Sequence, residues 1–131
     1  MTISSHLHQF YIDGTWVDPL PGAGKLGVEN PATEEIVAEV ALGTAADADR
    51  AILAARAAFD GYTAWKVADR IDLLAAVIDE YNRRYDEFAA AISLEMGAPE
   101  AFGKEAQAWA GKVHMESTLE MARSFHWEER R

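Results

Sequence analysis

The chain has 131 residues, half of them hydrophobic, and a formal net charge of −10 at pH 7. This is the length of one ordinary domain, and the hydrophobic content is too high for an intrinsically disordered chain. The acidic balance argues against nucleic acid and anionic membrane surfaces as partners, because both repel negative charge. It is compatible with a cytoplasmic protein, and we expect that location.

The sequence contains no cysteine. This excludes disulfides, thiolate metal sites and a cysteine nucleophile within these residues. The N-terminus lacks a basic region followed by an apolar run, so it does not predict a signal peptide. No apolar stretch approaches the roughly 20 residues of a membrane span, and we expect no membrane partner.

A first β-hairpin is predicted close to the N-terminus. Residues 9–12 and 15–18 have strand character and flank the dipeptide Asp13-Gly14. A two-residue connection of this type is a strong hairpin signal, because glycine accepts the positive φ that the turn requires.

A second strand pair is predicted at residues 25–29 and 35–41, with a turn at Asn30-Pro31-Ala32-Thr33 between the strands. The chain is therefore predicted to divide into a hairpin region at residues 1–43 and a three-helix region at residues 44–131. We expect the two regions to form a single partial domain over residues 1–131.

The first helix is predicted at residues 45–59. Thr44 with Asp47 three residues later is a helix-start pattern, since the hydroxyl caps a backbone N–H and the carboxylate lies in the positive first turn. Asp60-Gly61 is predicted to end the helix. One face carries Ala48, Ile52, Ala55 and Phe59.

The second helix is predicted at residues 67–96 and has the most regular pattern in the chain. Gly97 and Pro99 are predicted to end it. Its apolar residues recur at alternating spacings of four and three: Val67, Ile71, Leu74, Ile78, Tyr81, Tyr85, Phe88 and Ile92. This spacing favours a core-facing helix, and a self-associating coiled coil remains the alternative.

The third helix is predicted at residues 99–123, with Pro99 in its first turn. It carries two apolar stripes, formed by Phe102, Ala106, Trp109 and Val113, and by Met115, Leu119 and Ala122. Gly103 and Gly111 either weaken this helix or permit the close approach of a neighbour.

Three patterns that suggest binding chemistry are better explained as surface structure. Residues 21–25, Pro-Gly-Ala-Gly-Lys, lack the Ser or Thr and the following helix of a phosphate-binding loop. His6 and His8 could chelate a metal weakly but lie in a predicted frayed N-terminus, and His114 and His126 have no Glu or His at metal-ligand spacing.

Paired acidic residues are abundant along the helices. The pairs are Asp47 with Asp49, Asp69 with Asp72, Asp79 with Glu80, and Asp86 with Glu87. They lie mostly opposite the apolar stripes, which favours a solvated face over acid–base catalysis. A self-sufficient enzyme is therefore the least favoured function, because no polar groups converge.

Several stretches together carry a family pattern. They are residues 10–17 and 28–37, Asn30-Pro31-Ala32-Thr33, residues 54–59 followed by Trp65, Arg70 with Leu73 and Leu74, and residues 94–99, Leu-Glu-Met-Gly-Ala-Pro. In this order they resemble the N-terminal segment of the NAD(P)-dependent aldehyde dehydrogenases, from Phe10 to about Glu129. The resemblance implies the N-terminal part of an α/β fold, with β-hairpins followed by three α-helices, and helix-dominated as an isolated chain.

The family's chemistry implies residues that this sequence does not contain. Its members oxidise an aldehyde to a carboxylic acid with NAD or NADP, through a cysteine nucleophile and a glutamate that activates water. None of these groups maps onto this sequence, so we assign no catalytic, cofactor-binding or metal residue. Some relatives hold an alkali cation near the positions of Val28, Glu29 and Glu95, and the other ligands would come from later residues, so we do not assign this site.

The resemblance also implies that the later residues of the family cover the apolar stripes of this segment. The end at residues 129–131 resembles a cut rather than a natural terminus. We therefore expect a catalytically inactive fragment that forms a homo-oligomer through helices 67–96 and 99–123, or that binds the missing remainder of the enzyme. A non-enzymatic self-association module descended from the family is the alternative.

Overall fold

The computed structural model describes residues 5–128. It contains two compact units that divide between Ala64 and Trp65. Two β-hairpins and one helix form the N-terminal unit, and the later helices form the C-terminal unit. The predicted order of hairpins followed by helices is confirmed. The first helix belongs to the same compact unit as the hairpins. The sequence-based prediction places it in one region with the later helices. The single partial domain over residues 1–131 stays a prediction.

The first hairpin pairs β1 (Phe10–Ile12) with β2 (Thr15–Val17) in antiparallel register. Asp13 and Gly14 both adopt positive φ, at 53° and 76°. This is the type I′ geometry, whose twist matches that of the flanking strands. The predicted hairpin is thus confirmed, with each strand one residue shorter at its outer end.

The second hairpin pairs β3 (Lys25–Asn30) with β4 (Glu35–Ala41). The Asn30 side chain accepts a hydrogen bond of 2.9 Å from the backbone N–H of Ala32, which fixes the start of the turn. The register shifts between Val28 and Glu29, where a β-bulge is formed. The predicted strand pair and its turn are confirmed.

Helix α1 (Ala45–Thr63) begins at the predicted capping residue. The Thr44 hydroxyl accepts the backbone N–H of Asp47 at 3.2 Å, and the Asp47 carboxylate accepts the backbone N–H of Thr44 at 2.8 Å. The predicted end at Phe59 is wrong, because the helix continues through Gly61. A single glycine costs a helix only about 1 kcal/mol, which is too little to end one that is well capped at its start.

Two helices occupy the segment for which one helix is predicted. They are α2 (Val67–Arg83) and α3 (Tyr85–Met96). Arg84 interrupts them with φ −104° and ψ 14°, and its N–H is shared between the carbonyls of Glu80 and Tyr81. The continuous helix over residues 67–96 is therefore wrong at Arg84. Its predicted end is confirmed, because Gly97 adopts the left-handed conformation with φ 64°.

The last helical segment also departs from the prediction of one regular α-helix. It consists of α4 (Glu100–Phe102), a π-helical segment (Gly103–Ala108) and α5 (Trp109–Ser124). Two tyrosine hydroxyls donate to carbonyls of the π-helical segment. Tyr81 bonds Ala108 at 2.8 Å, and Tyr85 bonds Lys104 at 2.5 Å. Through these hydrogen bonds, two backbone carbonyl oxygens of the π-helical segment gain a donor from outside that segment.

The core of the C-terminal unit lies between α2, α3 and this last segment. Helix α2 packs on α5, and α3 packs on the π-helical segment. Ile78, Ala89, Ala108 and Leu119 are buried there. The apolar stripe of the second predicted helix therefore faces other helices of the same unit around the buried Ile78, while most of its residues are half-buried and Phe88 is 39% exposed.

Candidate functional site

The loop at residues 21–25 leads into a strand, as a surface loop does. Gly22 adopts a φ of 95° in a turn, and Lys25 is the first residue of β3. The Lys25 ammonium lies 2.7 Å from the Glu39 carboxylate on the neighbouring strand. The lysine is thus engaged in a cross-strand ion pair rather than in a phosphate cradle.

The histidines are spread over the two units. The His6 ring stacks on Trp16 with 4.1 Å between ring centroids, and its Nδ1 lies 2.8 Å from the Gln9 side-chain oxygen. Glu95 is exposed near the end of α3. Within residues 5–128, no cluster of three or more His, Asp or Glu side chains has an arrangement that could hold a metal ion.

Asp47 is the acidic residue for which the prediction of a solvated face is wrong. It is 4% exposed and lies where the start of α1 meets the preceding loop. Its Oδ2 accepts hydrogen bonds from the backbone and the hydroxyl of Thr44, and its Oδ1 accepts the backbone N–H of Leu20 at 3.0 Å. The capping pattern in the sequence signals part of this network, whereas the bond to Leu20 needs the tertiary fold.

The hydrogen bonds that Asp47 accepts favour its ionised form. Those from Thr44 contribute most, and together with the one from Leu20 they hold the pKa of the carboxyl below its ordinary value of 3.8. A general base that works near neutral pH requires a raised pKa instead. Asp47 therefore joins the loop to the helix and is unsuited to acid–base catalysis.

This network predicts acid-sensitive stability. A carboxyl whose pKa is lower in the folded state stabilises the fold above its unfolded pKa, and this contribution is lost as pH falls through the folded pKa. We expect Asp47→Asn to destabilise the chain more at about pH 7 than at about pH 3, as measured by urea unfolding at both pH values. An equal loss at both would show that the carboxylate charge contributes nothing.

Helix α1 exposes apolar side chains in the N-terminal unit. We call Ala48, Ile52, Ala55 and Phe59 the α1 stripe, because they recur at spacings of four and three residues and form one face. Ile52 is 64% exposed and Phe59 is 53% exposed. The sequence predicts these four residues on one face, and the side chains of Ile52 and Phe59 are more than half exposed.

The C-terminal unit also exposes large apolar side chains. Met121 on α5 and Phe125, the extended residue directly after the helix, are both exposed. Trp127 donates its indole N–H to the Ala122 carbonyl at 3.0 Å and meets the Phe125 ring edge-on, with 5.0 Å between centroids. Further exposed residues of this unit are Leu73, Val77, Met96, Phe102 and Trp109. Large contiguous patches of exposed apolar side chains are typical of surfaces that bind another polypeptide.

No helix among residues 5–128 combines the length and the apolarity that crossing a membrane requires. The sequence places Tyr81 and Tyr85 on an apolar stripe but does not reveal that their hydroxyls donate to the backbone of Ala108 and Lys104. Gly111 was the available signal for Tyr81, because a β-carbon there would meet the Tyr81 hydroxyl.

Comparison with known proteins gives a consistent result. Residues 16–130 match the model of the aldehyde dehydrogenase family. A 3-succinoylsemialdehyde-pyridine dehydrogenase from a Pseudomonas species is 43% identical over 122 residues, which cover 92% of this chain and 25% of that protein. The chain therefore spans about a quarter of the length of the curated relatives that it matches.

Solved structures show the same relation. A mutant of aldehyde dehydrogenase C from Pseudomonas syringae, in complex with NAD+ and octanal, superposes with a TM-score of 0.92 at 37% identity, covering 99% of this chain and 27% of that one. An aldehyde dehydrogenase from Bartonella henselae superposes with a TM-score of 0.89 at 34% identity, covering 93% and 25%. The predicted fold class is confirmed.

Proposed function

The chain belongs to the aldehyde dehydrogenase family, and we propose on this basis that it is the N-terminal segment of an oxidoreductase of that family, inactive by itself. The reaction of the whole enzyme would be oxidation of an aldehyde to a carboxylic acid with NAD or NADP. Within the whole enzyme, this segment would serve as a structural layer. The acidic composition of the segment is compatible with the cytoplasm.

One observation carries this proposal: the family match covers most of the chain, while the chain exposes many apolar side chains and has no cysteine to act as the family's nucleophile. The match spans residues 16–130, and the sequence contains no cysteine. The buried carboxylate of Asp47 is fully engaged in capping and loop contacts. A role in support of chemistry performed elsewhere in the polypeptide explains these features together.

The proposal predicts that the 131-residue chain neither binds the cofactor nor oxidises aldehydes. Titration with NAD, followed by calorimetry, is expected to show no saturable binding in the micromolar range. Incubation with NAD and octanal is expected to produce no NADH above a blank without protein. A whole relative treated in the same way is the positive control. Micromolar NAD binding by the isolated chain would contradict the proposal.

Self-association is the second candidate, and the exposed residues of the C-terminal unit favour it. The predicted interface involves helices 67–96 and 99–123, where Val77, Trp109 and Met121 are exposed. Burying such side chains between two copies stabilises a dimer by about 25 cal/mol for each Å² of apolar area. We expect light scattering at micromolar chain concentration to give a mass above that of one chain. A strictly monomeric species would count against this interface.

A further inference from the structure

We propose that Asp13 is a site of spontaneous covalent modification, at which the backbone of the first hairpin is converted to an isoaspartyl linkage. The sequence contains two Asp-Gly dipeptides, Asp13-Gly14 and Asp60-Gly61. Such a pair is chemically prone to this conversion, because glycine has no side chain to shield its backbone nitrogen. The structure places the first pair in a turn and the second in a helix, and this difference distinguishes Asp13 from Asp60.

The reaction requires only the chain and water. The backbone nitrogen of Gly14 attacks the side-chain carboxyl carbon of Asp13, and the new C–N bond closes a succinimide ring. The carboxyl OH and the amide proton leave together as one water molecule. Water then adds to one of the two ring carbonyls. Opening at the side-chain carbonyl restores aspartate, whereas opening at the main-chain carbonyl leaves a chain that runs through the β-carbon. The net change is an isomerisation without an oxidant or a reductant.

Asp13 and Gly14 form the tip of a hairpin whose strands are short. Strands β1 and β2 have three residues each, and both turn residues are exposed. The ladder of the hairpin starts with the pair Ile12 and Thr15, which leaves the Gly14 nitrogen outside it. A two-stranded hairpin of this size is marginally stable by itself, so its tip opens locally at a small cost in free energy. Opening allows the Asp13 carboxyl to reach the Gly14 nitrogen.

The second dipeptide lies inside α1, where the same attack is hindered. In an α-helix the Gly61 N–H donates to the carbonyl four residues earlier, so this nitrogen is engaged. The Asp60 carboxylate lies 3.7 Å from the Arg56 guanidinium, back along the helix and away from the Gly61 nitrogen. The Thr63 hydroxyl donates to the Asp60 carbonyl at 3.1 Å. Asp60 is therefore an internal reference with the same dipeptide sequence in a protected backbone.

Isomerisation at Asp13 changes the first hairpin. It adds one carbon to the main chain within a two-residue turn, whose type depends on the positive φ of both turn residues. The pairing of Tyr11 with Trp16, whose rings meet edge-on at 5.3 Å between centroids, depends on that turn. We expect the modified hairpin to open, whereas β3 and β4 stay paired because they have a turn of their own.

The test compares the two dipeptides in one molecule. The full 131-residue chain is incubated for several weeks at neutral pH, folded in buffer and unfolded in urea. Isoaspartate at each site is then quantified by peptide mapping with electron-transfer fragmentation. In urea the two sites are expected to react at similar rates. In the folded chain, isoaspartate at Asp13 is expected to exceed that at Asp60 several-fold.

Gly14→Asn is the control variant for the chemistry. Asparagine tolerates the positive φ of the turn but places a side chain beside the attacking nitrogen. The variant is expected to form much less isoaspartate at Asp13 and an unchanged amount at Asp60. Amide hydrogen exchange tests the effect on the fold: in the modified fraction, residues 10–17 are expected to exchange faster than in the unmodified chain, and residues 25–41 at the same rate.

Equal reaction of the two sites in the folded chain would overturn the proposal, as would a larger amount at Asp60. Reaction of Asp13 only in urea would show that the folded turn protects it, and the proposal would be wrong. An unchanged amount at Asp13 in the Gly14→Asn variant would contradict attack by this nitrogen. Unchanged exchange of residues 10–17 would refute the opening of the hairpin. None of these measurements depends on NAD binding or aldehyde oxidation, so the proposal does not rest on the proposed function.

Discussion

Replacing Ile78 by alanine is expected to lower the free energy of unfolding of the chain by about 2–5 kcal/mol, the range for truncating a buried aliphatic side chain. Ile78 is 5% exposed and lies in the core that α2 forms with the other helices of the C-terminal unit. Small domains have a total stability of about 5–15 kcal/mol, so this single cavity removes a large fraction of it. Urea unfolding followed by circular dichroism measures the effect.

Val77 provides the matched control for this prediction. It precedes Ile78 on the same helix and is 49% exposed. Its replacement by alanine is expected to change the stability by no more than about 0.5 kcal/mol, as at other surface positions. Both variants must be compared at one chain concentration, because self-association would add to the apparent stability. A similar loss for the two variants would mean that α2 does not pack as described.

The parts of the fold that sequence alone predicts are those with local causes. Asp13-Gly14 specifies its turn because both residues tolerate positive φ, and Thr44 with Asp47 specifies the start of α1 because the two groups cap each other. Gly97 ends α3 for the same kind of reason. In each case the residues that determine the structure lie within four positions of one another.

The features that sequence missed depend on residues distant in the chain. The π-helical segment is held by hydroxyls from Tyr81 and Tyr85, which bond carbonyls 27 and 19 residues away. Asp47 is buried because Leu20, also 27 residues away, donates to it. The periodicity of apolar residues does not reveal such distant pairs. The sequence therefore predicts one regular helix instead of the π-helical segment, and a solvated Asp47 instead of a buried one.

The same division applies to the candidate site. The sequence identifies the α1 face and the missing nucleophile, since both depend only on residue type and spacing. It does not predict which apolar faces remain exposed, because the stripe at Ile78 and Tyr81 and the stripe at Ile52 and Phe59 have similar spacing. In the structure Ile78 is buried where α2 packs on α5, whereas the side chains of Ile52 and Phe59 are exposed. Burial is therefore known only from packing, whereas family membership follows from residue pattern.

Gly111→Ala is expected to destabilise the chain by about 1–3 kcal/mol, although alanine is the better helix former. A β-carbon at this position would lie 2.8 Å from the Tyr81 hydroxyl oxygen. Tyr81 has little freedom to move, because its hydroxyl donates to Ala108 and its ring stacks on Phe88 at 4.5 Å. Displacing it leaves the carbonyl of the fully buried Ala108 without this donor, which costs about 1–3 kcal/mol. That cost exceeds the gain of about 1 kcal/mol from helix propensity.

Two further variants isolate the cause. Gly61→Ala in α1, where a β-carbon would meet nothing within 4 Å, is expected to stabilise the chain by about 0.5–1 kcal/mol. In a Tyr81→Phe background the hydroxyl is gone, and the nearest ring atom lies at 3.4 Å, an ordinary contact. Gly111→Ala should then cost nothing or stabilise the chain, so the two substitutions should be strongly non-additive in urea unfolding. Simple additivity would show that the alanine acts elsewhere than on Tyr81, and that this hydroxyl does not set the approach of α5 to α2.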